Sequence, residues 1–212
     1  MLGVHIRWIK RMFALLALAV IPVGVMAEEY PSRPVKMIVP FPVGGVTDMG
    51  ARIFAKALGD KLGQPIVIEN RGGVGGVLGT SIVKRATPEG YTILYGTSGP
   101  MVVVESTMKS VPYDSLEDFT PLAALAEIPM VLVVNAKSPF KTLAELIKFA
   151  KANPGKLTFA SAGLGTAPNL AMEMLKDGAQ IDLLHVPYKG LAEATRVRHQ
   201  PLQVVDLLES AT

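Results

Sequence analysis

The sequence predicts an α/β fold with parallel-sheet βαβ units, because short apolar runs alternate with amphipathic runs along the chain. In the first half the order is strand, helix, strand, helix, strand. The predicted strands are 35–41, 66–69 and 91–96, and the predicted helices are 48–62 and 77–85. Gly63, directly after the first helix, is in the position where helices commonly end.

The second half repeats the alternation and predicts a second lobe. Thr142, followed three residues later by Glu145, predicts the start of a helix that ends at Ala152. The apolar run 121–134, which Pro129 interrupts, predicts a strand that leaves one lobe and enters the other. The remaining predicted elements are strands at 157–160 and 181–186 and a helix at 168–176.

The N-terminus has the pattern of a secretory signal peptide. Arg7, Lys10 and Arg11 precede an apolar run at 12–25, and small residues around Ala27 suit a signal peptidase. The run of 14 residues is shorter than the roughly 20 that span a bilayer. We therefore expect residues 1–27 to be removed on export, with an uncleaved N-terminal anchor as the alternative.

Composition excludes several classes of protein. Half of the 212 residues are hydrophobic and none is cysteine, which excludes a disordered chain, a disulfide scaffold and cysteine-ligated zinc. The formal net charge of +3 comes from three basic residues in the leader. The mature chain is therefore neutral, and no basic surface for nucleic acid is expected.

A first glycine loop, 41–48, lies between the first predicted strand and helix. Gly44 and Gly45 let the backbone approach a ligand closely, and the start of the helix offers unpaired N–H groups with a partial positive charge. A carboxylate is a natural occupant of such a place. Thr47 or Asp48 can cap the helix, and an ordinary glycine turn is the alternative interpretation.

A second glycine loop, 161–166, has the same position between a strand and a helix. Ser161 and Thr166 can donate hydrogen bonds, and the glycines expose backbone N–H groups. Two such loops facing each other would hold a dicarboxylate or tricarboxylate from both ends. An ordinary glycine-rich connection is again the alternative.

Signatures of other sites are missing. The glycine cluster 70–76 has neither the Lys-Ser/Thr of a P-loop nor the G-x-G-x-x-G spacing of a dinucleotide site. Ser161 is the only plausible nucleophile of an alternative, hydrolase-like enzyme, and no histidine clearly serves it. His185, within an apolar strand, is expected to be structural. We therefore expect a protein that is not an enzyme.

Six blocks of sequence follow one another in order from about Tyr30 to Gly190. They are "YPSRPVKMIVPFPVGGVTDMGAR", "GQPIVIENRGGVGGVLGT", "PEGYTILYGTSG", "VPYDSLEDFTPLA", "KANPGKLTFASAGLGT" and "HVPYKG". Together these blocks resemble the Bug family, the periplasmic solute-binding proteins of tripartite tricarboxylate transporters.

The resemblance implies a two-lobed, type II periplasmic-binding-protein-like fold, with lobes at 28–126 and 127–190. It implies a periplasmic monomer that captures a small di- or tricarboxylate, or a related organic acid, and delivers it to membrane transporter subunits without catalysis. No metal or organic cofactor is implied. A sensor that presents its ligand to a membrane receptor is the alternative.

In that family the two loops clasp the ligand carboxylates, and the resemblance carries this role over to matching positions. The family often has histidine where Asn169 stands, so no contact is assigned to that residue. The expected ligand-binding residues are Phe41, Gly44, Gly45, Val46, Thr47 and Asp48 in the first loop, Ser161, Gly163, Gly165 and Thr166 in the second, and Thr97 and Ser98 in a segment that lines the cleft.

The C-terminal tail, 191–212, has no glycine and shows no match to the family's continuation. A frameshifted or truncated reading frame would explain this, and it would leave the first lobe incomplete. Apolar faces would then be exposed, and the folded state would lose about 25 cal/mol of stabilisation for each Å² of apolar surface left unburied. The expectation is a marginally folded, aggregation-prone or inactive product.

Overall fold

A three-stranded parallel sheet forms the first part of the molecule in the computed structural model, which describes residues 29–196 and 202–206. The predicted signal peptide lies outside the described residues. The strands are β1 (Val35–Val39), β2 (Ile66–Asn70) and β3 (Thr92–Leu94), in the order β2-β1-β3. Helices α1 (Val46–Leu62) and α2 (Val77–Lys84) connect them, as the alternating pattern predicts.

Strand β1 is the central strand of this sheet, and this position explains why its sequence is almost continuously apolar. Its residues Met37 and Val39 pack with Ala51 and Ala55 of α1 and with Tyr95 after β3. Both faces of a central parallel strand are covered, so alternation of polar and apolar residues is not needed there. The sheet therefore fixes the carboxyl end of β1, where the first glycine loop begins.

A four-stranded mixed sheet forms the second part. Its strands are β4 (Met130–Val134), β5 (Thr158–Ser161), β6 (Leu184–Pro187) and β7 (Leu202–Asp206), in the order β4-β7-β5-β6. Strand β5 is parallel to β6 and β7, whereas β4 is antiparallel to β7. The two sheets belong to one compact unit of the chain, which begins at Arg33.

Helices α4 (Leu143–Ala152) and α5 (Ala167–Ala179) flank the second sheet. Phe159, Leu146 and Met172 are the centre of the core there and are at most 2% exposed. The predicted start of α4 is confirmed: the Thr142 hydroxyl oxygen accepts a hydrogen bond from the Glu145 N–H at 3.2 Å.

The connection between the sheets differs from the prediction. It contains a π-helical turn (Gly99–Val103) and the short helix α3 (Val104–Thr107), and the strand expected at 121–134 is confined to β4, which begins after Pro129. Proline has no N–H to donate to a sheet. Residues 121–127 are exposed and extend outside any strand or helix.

The C-terminal residues contribute regular structure. Helix α6 (Leu191–Arg196) follows β6, and β7 lies between β4 and β5. The lobe boundaries at 28–126 and 127–190, and the expectation that 191–212 is divergent, stay predictions. Among the described residues no helix combines the length and apolar character needed to cross a membrane.

Candidate carboxylate site at two glycine loops

The first loop is held from within by the Asp48 carboxylate. One oxygen, Oδ2, accepts hydrogen bonds from the Gly44 N–H at 2.9 Å and from Arg52 Nε at 3.0 Å. The other, Oδ1, accepts from Asn70 Nδ2 at 2.9 Å, and the same amide reaches the Phe41 carbonyl at 3.0 Å. Asp48 and Asn70 therefore fix the backbone on both sides of the turn.

The expectation that Thr47 or Asp48 caps α1 is wrong. The helix begins at Val46, and the N-cap is Gly45, which offers no side chain. Asp48 reaches back from the first turn to Gly44 instead, which has a positive φ of 84°. The first N–H groups of α1 consequently lack a side-chain cap, as an anion site at a helix start requires.

Asp48 is ionised although it is only 2% exposed. Burial alone would raise its pKa, but hydrogen bonds from Arg52, Gly44 and Asn70 outweigh that effect and hold the pKa below its ordinary value. Arg52 neutralises the charge at 3.0 Å. The carboxylate is thus satisfied by the protein and does not leave an open negative charge in the loop.

A cavity of about 400 Å³ lies beside the first loop. Of the predicted site residues, Phe41, Gly45 and Val46 line it, and the others do not. The opposite wall is Lys189–Glu193, which the sequence analysis did not assign to the site. The sequence signal for this wall was the block "HVPYKG", which ends at Gly190. Gly190 lies against Pro42 of the first loop, since a Cβ at Gly190 would be 3.3 Å from Pro42 Cδ.

The second loop is closed by hydrogen bonds of its own. Thr166 Oγ1 donates to the Gly163 carbonyl at 2.7 Å, and the Gly163 N–H donates to Ser161 Oγ at 3.1 Å. All four predicted site residues of this loop, including Gly165, are buried. They do not line the cavity at the first loop.

Ser161 and His185 form a contact that the sequence analysis missed. Ser161 Oγ is 2.7 Å from His185 Nε2, and the His185 ring stacks on Phe159 with centroids 4.7 Å apart. The parallel register of β5 and β6, with Phe159 opposite His185, brings them together. The expectation that no histidine serves Ser161 is therefore wrong, since His185 is within hydrogen-bond distance of it. No local sequence signal reveals the register that brings the two residues together.

The environment of His185 keeps this pair structural. Burial lowers the pKa of His185, and the positive charge of Lys176 lowers it further. The negative charge of Glu173 opposes this but does not outweigh it, so the ring is neutral at pH 7. Ser161 is fully buried and its hydroxyl is already engaged with His185 and with both backbone groups of Gly163. A substrate has no access to the hydroxyl in this conformation.

The glycine cluster 70–76 connects the two loops, a role unrelated to nucleotide binding. A Cβ at Gly75, where φ is 62°, would overlap the Leu164 carbonyl oxygen of the second loop. A Cβ at Gly76 would be 3.4 Å from Phe41 Cζ of the first loop. Bare backbone of the turn between β2 and α2 therefore packs directly against the second loop.

The predicted pair Thr97 and Ser98 lies close to this contact. Thr97 is partly buried and its carbonyl accepts from the Met101 N–H at 3.2 Å, whereas Ser98 is exposed. The next residue, Gly99, touches the second loop, since a Cβ there would be 3.3 Å from the Gly165 carbonyl oxygen. Among the described residues no group of three or more His, Asp or Glu side chains could hold a metal ion.

Comparison with known proteins decides the family. The model of the family TctC, tripartite tricarboxylate transporter family receptor, matches residues 50–203. The chain belongs to this family. BugT of Bordetella pertussis is 44% identical over 196 residues, which are 91% of this chain and 57% of BugT. The prediction of a Bug-family receptor is confirmed.

Solved structures that this chain resembles confirm the fold. The R. palustris protein Rpa4515 with adipate is 34% identical, with a TM-score of 0.81 over 84% of this chain and 61% of that one. MatC from Rhodopseudomonas palustris with bound malate is 31% identical, with a TM-score of 0.80 over the same shares. The α/β, type II periplasmic-binding-protein-like fold class is therefore confirmed.

The matched region covers only part of each relative. This chain spans little more than half the length of BugT and about three fifths of the two solved structures. The family model continues to residue 203, thirteen residues beyond Gly190, where the resemblance in sequence blocks ends. Helix α6 and the first two residues of β7 lie in that added stretch.

Proposed function

We propose that this chain is part of an exported solute-binding protein that captures a small carboxylate and presents it to the membrane subunits of a tripartite tricarboxylate-type transporter. Membership of the receptor family supports this role, as do relatives whose structures carry adipate and malate. The proposed location is the periplasm, the proposed state is a monomer, and the proposed ligand class is di- or tricarboxylates.

The cavity beside the uncapped start of α1 is the observation that carries the proposal. Gly45 and Val46, at the start of α1, line a space of about 400 Å³, and no side chain caps this helix start. A carboxylate there would gain hydrogen bonds and the favourable end of the helix dipole. Phe41 and Val46 would contact the carbon skeleton, and the cavity wall carries one charged residue of each sign, Lys189 and Glu193.

The Asp48 network makes this mechanism electrostatically workable. An unpaired carboxylate so close to the helix start would repel an anionic ligand. Arg52 cancels that charge, while Gly44 and Asn70 occupy the remaining lone pairs. The site residues Gly44, Thr47 and Asp48 are therefore proposed to act by shaping the loop, and Phe41, Gly45 and Val46 by touching the ligand.

A cavity-filling variant tests the proposal. In Gly45→Leu the new Cβ meets only the Pro42 carbonyl oxygen at 4.0 Å, and Gly45 has φ −88°, so the backbone is not strained. We expect adipate, malate or citrate to raise the melting temperature of the wild-type chain and to have no effect on the variant. Gly178→Ala, in open space on α5, is the matched control and should respond as wild type does. Equal ligand responses in Gly45→Leu and wild type would contradict the proposed site.

A further inference from the structure

Val74, in the turn between β2 and α2, has a backbone conformation that valine rarely adopts. Its φ is 51°, and among the described residues Gln180 is the only other residue besides glycine with a positive φ. A side chain that branches at Cβ makes this left-handed region especially unfavourable. The Val74 side chain is 67% exposed, so its own burial does not offset the strain.

The strained residue lies where the turn meets the second loop. The next residue, Gly75, is so close to that loop that a Cβ would overlap the Leu164 carbonyl oxygen. From the other side, a Cβ at Gly163 would be 3.7 Å from the Gly75 nitrogen. Leu164 is exposed, as Val74 is, so backbone packs on backbone at this contact. Strain that persists under such a constraint is typical of ligand clamps and switch regions.

The turn and the second loop are each connected to one wall of the cavity beside the first loop. On the side of the turn, a Cβ at Gly72 would be 3.0 Å from Cδ of Pro42, which lines the cavity. On the side of the second loop, the Tyr188 N–H donates to the Ser161 carbonyl at 2.9 Å, directly before the chain enters the opposite wall, 189–193. The spacing of the two walls therefore depends on the contact between the turn and the second loop.

We propose that Val74 is a positioning residue that weakens ligand binding by straining the closed arrangement, in which the turn contacts the second loop. This inference rests on the proposed function, with the ligand in the cavity at the first loop. When turn and loop separate, Val74 can return to a negative φ and the walls move apart. A ligand that needs both walls binds the closed arrangement, so its apparent affinity scales with the closed fraction. Val74 does not line the cavity and acts only through this equilibrium.

The variant Val74→Asn tests this role, because asparagine adopts a positive φ far more readily than valine does. Val74→Thr is the matched variant, since it also makes the exposed side chain polar but keeps the branch at Cβ and therefore the strain. Gln180→Asn is the control for relief of strain elsewhere. Gln180 has the same φ, 51°, but follows α5 at the end away from the second loop.

The first measurement is the dissociation constant for adipate, malate and citrate. We expect Val74→Asn to bind about fivefold more tightly than Val74→Thr, because relief of the strain raises the closed fraction. Gln180→Asn should bind as the wild type does. Equal dissociation constants for the two Val74 variants, or an equal gain in Gln180→Asn, would overturn the role of Val74.

The second measurement needs no ligand. The chain has no cysteine, so spin labels attach only at the introduced pair Ile53→Cys on α1 and Met174→Cys on α5, both at exposed positions. In the ligand-free protein, Val74→Asn should give a narrower distribution of label distances than Val74→Thr. Identical distributions would overturn the inference. A wild-type chain that binds none of the three acids, while Val74→Asn still narrows the distribution, would overturn the proposed function but support the strained closed arrangement.

Discussion

The two glycine loops share a sequence pattern but differ in how far the protein satisfies them. The first loop borders a cavity, and a Cβ at Gly44 would meet nothing within 4 Å. The second loop is buried, and a Cβ at Gly165 would be 2.7 Å from Val104 Cγ1. In the first loop the buried carboxylate, Asp48, has every partner it needs, whereas in the second the buried amide, Asn169, has an open donor.

One sequence pattern therefore serves two physical tasks in this chain. A strand followed by glycines and a helix start provides free N–H groups in either place. Whether a ligand can reach them depends on what packs on the loop. At the first loop the wall is 189–193 across a cavity, and at the second it is the bare backbone of Gly75 and Gly99.

Adding one methyl group at the contact between the two loops should destabilise the protein more than any other change considered below. Gly75→Ala forces a residue with φ 62° to carry a Cβ that overlaps the Leu164 carbonyl oxygen. We expect a loss of about 3 kcal/mol in the free energy of unfolding, measured by urea denaturation, from the strained backbone together with displacement of the second loop.

Gly44→Ala is the matched control for that experiment. Gly44 also has a positive φ, 84°, but faces open space. Only the backbone strain remains, so a loss of about 1 kcal/mol is expected. If both variants lose the same amount, the second loop does not depend on close packing against the glycine cluster, and the contrast between the loops fails.

The next effect concerns the carboxylate that holds the first loop. Asp48→Asn places an NH₂ group where an oxygen now accepts hydrogen bonds from Gly44 and Arg52, or from Asn70. We expect a loss of about 2 kcal/mol, because a buried donor or acceptor is left unpaired. Wild-type stability from this group is present above the unfolded pKa of about 4 and is lost as the pH falls through the lower folded pKa.

Urea denaturation of both proteins at pH 7 and pH 3 checks this prediction. The gap between wild type and Asp48→Asn should narrow at the lower pH, where the carboxylate begins to accept a proton. Arg52→Gln provides the control, because it removes the exposed partner but leaves the Gly44 and Asn70 bonds in place. A constant gap at both pH values would show that the charge of Asp48 does not stabilise the loop.

The sequence predicted the architecture of both loops because their determinants are local. Apolar runs, Gly63 after α1 and the Thr142 cap are all read within a few residues. The partners that finish the loops come from far along the chain: Asn70 is 22 residues from Asp48, and His185 is 24 residues from Ser161. Those contacts depend on strand register, which periodicity does not specify.

The smallest effect is a pH dependence that should distinguish the second loop from the first. Burial lowers the pKa of His185, so the folded protein favours the neutral ring, whose Nε2 is 2.7 Å from Ser161 Oγ. Below the unfolded pKa of about 6.5 the unfolded chain binds a proton that the folded chain resists, and stability falls as the pH is lowered. The melting temperature should therefore decrease between pH 7 and pH 5 in the wild type, well above the range in which Asp48 titrates.

His185→Gln, which keeps a polar side chain beside Ser161 but cannot titrate, should lose most of that decrease in melting temperature. If the variant follows the wild-type curve, the acid sensitivity has another origin and the Ser161–His185 pair does not govern the second loop.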